Sequence, residues 1–140
     1  MDEEEPLFAI GDVIKDQYKL IKKISQGEFR QIYLAFDLQM RQLAIKLEKD
    51  SEEQMAVCIE AAILKILTGQ KNFPQFFQYG SHMNYKFVTM ELMGPNMIDL
   101  VNYRKPYRFS LHSILKFGIQ AIDILHVLHS KKVVHRDIKP

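Results

Sequence analysis

Glu60 is the carboxylate in this sequence whose surroundings most demand a partner. Its neighbours at helical spacing, Ala56, Ile63, Leu64 and Leu67, are apolar, which puts the charge on an inward-facing stripe. A charge there costs several kcal/mol unless it is paired. Lys46, in a β-prone run ahead of that helix, is the obvious partner. A lysine held in this way presents a fixed positive charge, suited to an anionic ligand such as a phosphate. A second concentration of reactive groups closes the sequence, His135-Arg136-Asp137-Ile138-Lys139-Pro140, where a carboxylate stands two residues from a lysine. Upstream, Gly27 lies in a short turn, where the lack of a side chain lets backbone amides approach an anion closely. Glu52 and Glu53 are explained by the helix dipole and solvent. His126 and His129 are three apart on one helix, but zinc would need more ligands than they and Cys58 offer, so a helix surface is expected and no metal ligands are assigned.

These side chains need elements to hold them. Tyr18 to Ile24 and Gln31 to Phe36 are β-prone runs flanking Ser25-Gln26-Gly27-Glu28-Phe29-Arg30, which reads as a hairpin. Gln42 to Leu47 fits a third strand. Ser51-Glu52-Glu53-Gln54 has the form of a capping box opening a helix that Gly69 stops. Phe76 to Tyr79 and Tyr85 to Met90 read as two more strands, joined by a turn near Gly80. Beyond Gly94-Pro95 the pattern turns helical: Asn96 caps a short helix through Asn102, and Ser110 caps a long one with Leu111, Ile114, Leu115, Gly118, Ile122 and Leu125 at helical spacing. That helix is expected to be buried. Strands first and helices afterwards predict an α+β arrangement.

With 47% apolar and 26% charged residues among 140, the composition is that of an ordinary globular domain. Its formal net charge of +2 gives no reason to expect nucleic acid or an anionic membrane as partner. The single cysteine, Cys58, has apolar neighbours and reads as a buried, inert thiol. The acidic start Asp2 to Glu5 is unlike a signal peptide, and residues 1–11 are expected to form a disordered tail. Ile114 to Leu128 is interrupted by Lys116, Gln120, Asp123 and His126, so no membrane span is expected. A cytoplasmic or nuclear location follows as the expectation.

Taken in order, these residues resemble the first half of a eukaryotic protein kinase domain. The nearer likeness is to the casein kinase I group, and within it to the tau-tubulin kinase branch. It is carried by Ala44-Ile45-Lys46-Leu47-Glu48, by Glu60, by the run Met90-Glu91-Leu92-Met93-Gly94-Pro95-Asn96-Met97-Ile98-Asp99-Leu100, and by His135 to Pro140. It covers about residues 12 to 140. The resemblance implies a small lobe at 12–90, built of a five-stranded antiparallel sheet and one helix, then a hinge at 91–95 and the start of a large lobe at 96–140.

For function the resemblance implies transfer of a phosphoryl group from ATP to serine or threonine of a protein substrate. Lys46, paired with Glu60, would touch the α and β phosphates. Asp137 would accept the proton of the attacking hydroxyl, and Lys139 would approach the γ-phosphate, which favours serine/threonine over tyrosine. Ile24 and Ile32 would cover adenine, Ala44 would line its pocket, and Met90 would stand behind it as gatekeeper. The Glu91 carbonyl and the Met93 amide and carbonyl would read its edge, and His135 would have a structural role. Of the three glycines in the phosphate loop of that family only Gly27 is present, Ser25 and Arg30 replacing the others. Magnesium is expected for the family domain, but its ligands, the catalytic-loop Asn and the D-F-G Asp, would lie beyond Pro140. The 140 residues alone are therefore expected to be inactive, and to fold poorly or only through the sheet lobe. The alternative is a non-catalytic kinase-like module that binds a nucleotide or a protein.

Overall fold

A computed structural model describes residues 8–140. The chain forms two compact units, the first made of the residues up to Gly69 together with Phe73–Leu92, the second containing Gln70–Asn72 and Met93–Pro140.

The first unit is a six-stranded antiparallel sheet with one helix. Its strands are β1 (Val13–Ile14), β2 (Tyr18–Gln26), β3 (Arg30–Phe36), β4 (Gln42–Lys49), β5 (Phe76–His82) and β6 (Tyr85–Met90), and α1 is Ala56–Ile66. The order across the sheet is β1-β2-β3-β4-β6-β5. Because side chains alternate along a strand, each central strand feeds two cores. One face sends Tyr33, Ala35, Leu43, Ile45, Leu47 and Phe87 into a cluster with Phe8, Ile14, Tyr18 and Leu20. The other face sends Ala44, Val88 and Met90 against Val57, Ala61 and Leu64 of α1.

All five expected strands are present, and β1 adds a sixth at the edge. A two-residue strand leaves no periodicity to read; β1 exists because β2 extends far enough to pair with it, Val13 with Lys19 and Ile14 with Tyr18. Residues 8–11, read from sequence as part of a disordered tail, are instead tied to the sheet unit by backbone hydrogen bonds and by the burial of Phe8, while Ala9, Ile10 and Gly11 stay exposed. Phe8 is buried, its carbonyl accepts from the Tyr33 hydroxyl at 3.1 Å, and the Gly11 amide donates to the Leu20 carbonyl at 2.8 Å. The rest of that expected tail lies outside the described residues.

Two further boundaries differ from expectation. The β5–β6 turn is Met83-Asn84, with Met83 in the left-handed region at φ 53°, and not at Gly80. Gly80 lies inside β5 opposite Phe87, whose ring atoms would stand 3.0 and 3.2 Å from a Cβ there. The glycine serves close packing, not a turn. Likewise α1 begins at Ala56, because Ser51 and Gln54 pair with each other in a turn, and the residue at its N-cap, Met55, supplies no side-chain cap.

In the second unit, α2 (Met97–Val101) and α3 (Leu111–Ser130) start where their caps predict. The Asn96 side chain accepts from the Asp99 amide at 2.8 Å while Asp99 accepts from the Asn96 amide at 3.2 Å, a complete capping box. Ser110 Oγ accepts from the Ser113 amide at 3.2 Å. The expected burial of α3 is not found: Leu128 is its buried residue, while Ile119 and Ile122 are 64% and 69% exposed. The unit has no further layer among the described residues to cover that face. At a mean hydropathy of 1.3, α3 is long and apolar enough to cross a membrane by length and composition, a test that core helices also pass. Its four interrupting polar residues therefore do not by themselves exclude a span.

Candidate active site

Alternation along β4 places Ala44, Lys46 and Glu48 on the face toward α1, with Leu43, Ile45 and Leu47 on the other. The Lys46 ammonium donates to Glu60 Oε1 at 2.5 Å, both side chains being partly buried. In the sheet Lys46 lies between Ile32 of β3 and Val88 of β6. The sheet thus brings together a fixed cation and an apolar floor of Ala44, Val88 and Met90, all buried.

A third charged residue belongs to this group, and sequence reasoning gave it no role. Glu48 is 2% exposed, and its Oε2 accepts from the Val57 amide at 2.7 Å. It caps α1 from the neighbouring strand, taking the place expected of Ser51. Its other oxygen has no hydrogen-bond partner among the described residues. The signal was legible in principle, since the two-residue period puts Glu48 on the same face as Lys46.

The loop after β2 is a tight hairpin. Gly27 donates its amide to the Arg30 carbonyl at 2.8 Å, and a Cβ on Gly27 would meet nothing closer than that oxygen at 3.7 Å. Ser25 pairs with Ile32 in the ladder; Ile24 is exposed and Ile32 half-buried. Arg30 is exposed and stands in register with Glu48.

Met90 is buried between its ladder partners Ala44 and Phe76. Glu91 follows with two bonds to one residue: its amide donates to the Gln75 carbonyl at 2.8 Å, and its carboxylate accepts from the Gln75 amide at 3.1 Å. The first unit ends at Leu92.

Met93, 56% exposed, opens the second unit's main segment, which also holds the remaining expected site residues. Lys139 Nζ lies 3.4 Å from Asp137 Oδ2, both well exposed, and the Asp137 amide donates to His135 Nδ1 at 3.1 Å. Arg136 between them has φ 69°, a left-handed conformation that an L-residue adopts at some cost. His126 and His129 are exposed on α3.

The model of the protein kinase domain family matches residues 18–140, and the chain belongs to that family. A probable serine/threonine-protein kinase of Dictyostelium discoideum is 37% identical over 134 residues, which is 95% of this chain and 27% of that protein. The chain thus spans about a quarter of the length of that relative. The crystal structure of a kinase domain aligns with a TM-score of 0.83 over 95% of this chain and 41% of that one, at 19% identity, a likeness of fold.

Kinases of this family use ATP and magnesium. The Lys46–Glu60 pair beside an apolar floor fits a nucleotide, the ammonium suiting its phosphates and Ala44, Val88 and Met90 its base. No three His, Cys, Asp or Glu residues gather among the described residues to hold a metal ion. In the family's order the catalytic-loop Asn and the D-F-G Asp, which hold magnesium, fall at positions past Pro140.

Proposed function

We propose that the chain carries the nucleotide-binding portion of an ATP-dependent serine/threonine protein kinase of the casein kinase I group, nearest its tau-tubulin kinase branch. The observation that carries the reading is the Lys46–Glu60 ion pair, 2.5 Å long and rooted in the face of the sheet that also holds Ala44 and Met90. The subgroup rests on the residue runs Ala44 to Glu48 and Met90 to Leu100. Lys46, held by Glu60, binds the α and β phosphates. Ile24, Ile32, Ala44 and Met90 enclose adenine, and the backbone of Glu91 and Met93 reads its edge. Asp137 takes the proton of the substrate hydroxyl, and Lys139 neutralises the transferring phosphate. Phosphoryl transfer asks the protein for positioning and charge neutralisation more than for covalent chemistry, which suits this set of groups. A protein substrate with serine or threonine and a cytoplasmic or nuclear setting complete the reading.

ATP added to the 140-residue chain is expected to raise its melting temperature, and Lys46→Ala to abolish the rise. Absence of any shift in the wild-type chain would count against nucleotide binding. In a chain extended through the catalytic-loop Asn and the D-F-G segment, Asp137→Asn is expected to slow phosphoryl transfer by about 10²–10⁴-fold. Nucleotide binding with no transfer in that extended chain would support a non-catalytic module, a reading favoured by the Gly27 amide being engaged by Arg30.

A further inference from the structure

The strand β4 grips α1 at two points. Lys46 holds Glu60, and Glu48 holds the Val57 amide. The grips are two residues apart on the strand, roughly 6.6 Å at about 3.3 Å per residue. On the helix they are three residues apart, roughly 4.5 Å at 1.5 Å per residue and nearly one turn. One attachment would leave the helix free to turn about it, whereas two separated ones fix both its rotation and its position along its axis. Of the two, Glu48 is the anchor. It is 2% exposed against the partial exposure of the Lys46–Glu60 pair, and it binds backbone, which cannot change rotamer. The positive end of the α1 dipole favours its charge, and the Val57 amide is its one hydrogen-bond partner among the described residues. A buried carboxylate with a free second oxygen adds little to the strand itself, so what its bond determines is where α1 begins and which way Glu60 points.

We propose that Glu48 is a positioning residue for Lys46, acting through α1: it sets the register in which Glu60 meets the ammonium. Its functional weight rests on the nucleotide-binding reading of Lys46, but the mechanical link does not.

The test is site-resolved lysine acylation of the intact 140-residue chain, read by mass spectrometry, in the wild type, Glu48→Gln, Glu48→Asp, Glu48→Ala and Glu60→Gln. An ion-paired ammonium reacts slowly, so Glu60→Gln gives the fully released rate at Lys46. Glu48→Ala is expected to raise Lys46 acylation severalfold toward that rate while exposed Lys19 and Lys22 stay unchanged. Glu48→Gln, whose amide oxygen still accepts from Val57, is expected to remain near wild type, and Glu48→Asp, one methylene shorter and so a more distant, weaker acceptor, to fall between. Lys46 acylation at the wild-type rate in Glu48→Ala overturns the proposal. So does an equal rise at all lysines in both Glu48→Ala and Glu48→Asp, which would mark a general effect on stability. Repeating the measurement with ATP separates the two readings. No ATP protection of Lys46, with the Glu48 effect intact, removes the nucleotide reading and leaves the anchor standing.

Discussion

Lys46 and Glu60 form a pair whose value lies in geometry more than in stability. At this degree of exposure an ion pair contributes about 1 kcal/mol or less. Glu60→Gln is therefore expected to shift the melting temperature little, yet, on the proposed role of Lys46 toward the phosphates, to weaken ATP binding severalfold. Unchanged ATP affinity in that variant, measured by titration calorimetry, would show that Lys46 needs no partner. Glu60 could be singled out from sequence because an acid on an apolar stripe is a local anomaly. The strand period put Glu48 on the same face as Lys46, but its role was not readable, because that depends on which helix amide the fold delivers to it.

At the scale of elements, the strands and caps were legible wherever the signal is local. The span Tyr85 to Met90 and the starts of α2 and α3 agree with expectation, since alternation and an Asn or Ser cap act over a few residues. The misread elements are those decided by a neighbour. Gly80 looked like a turn residue but is a seat for the Phe87 ring, and Ser51 looked like a cap but spends its backbone on Gln54. Gly80→Ala is accordingly expected to destabilise the sheet by about 1–3 kcal/mol, because Phe87 is fully buried and its ring would have to move. Gly27→Ala, whose Cβ would meet only the Arg30 carbonyl oxygen at an unstrained 3.7 Å, is expected to be near neutral. Denaturant midpoints of the two variants check this, and a Gly80→Ala chain as stable as the wild type would refute the packing account.

At the scale of the whole molecule, two properties follow from what is covered and what is not. Burial, with Asp12 nearby, raises the Tyr33 phenol above its ordinary value of 10.0; burial and then a hydrogen bond with Cys58 raise Tyr79, and burial raises Tyr85. Lys86 is raised by its hydrogen bond to Asp50 first of all. All four favour the protonated form in the folded state. Their contribution is fully present below the unfolded values and is lost as pH rises through the folded ones. Stability is thus expected to fall as pH climbs past about 10, together with the appearance of tyrosinate absorbance; a flat profile across that range would contradict it. The second property is the uncovered apolar side of α3, where Ile119 and Ile122 are exposed. The 140-residue chain is expected to bind the dye ANS, with cooperative melting confined to the sheet unit. A monomeric, ANS-silent chain melting in one cooperative step would refute this.

The order of strands and helices, the capped starts of α2 and α3, and the partnership of Glu60 with Lys46 were determined by the sequence alone. Each arises from alternation, helical period or a charge on an apolar stripe, and these forces act between residues close together in the chain. Only the tertiary structure decided that β1 exists, that Phe8 is buried, that Gly80 receives a ring, that α3 lies uncovered, and that Glu48 rather than Ser51 begins α1. Those outcomes depend on which distant surfaces meet, or fail to meet, and a buried polar group takes whatever partner the fold places beside it.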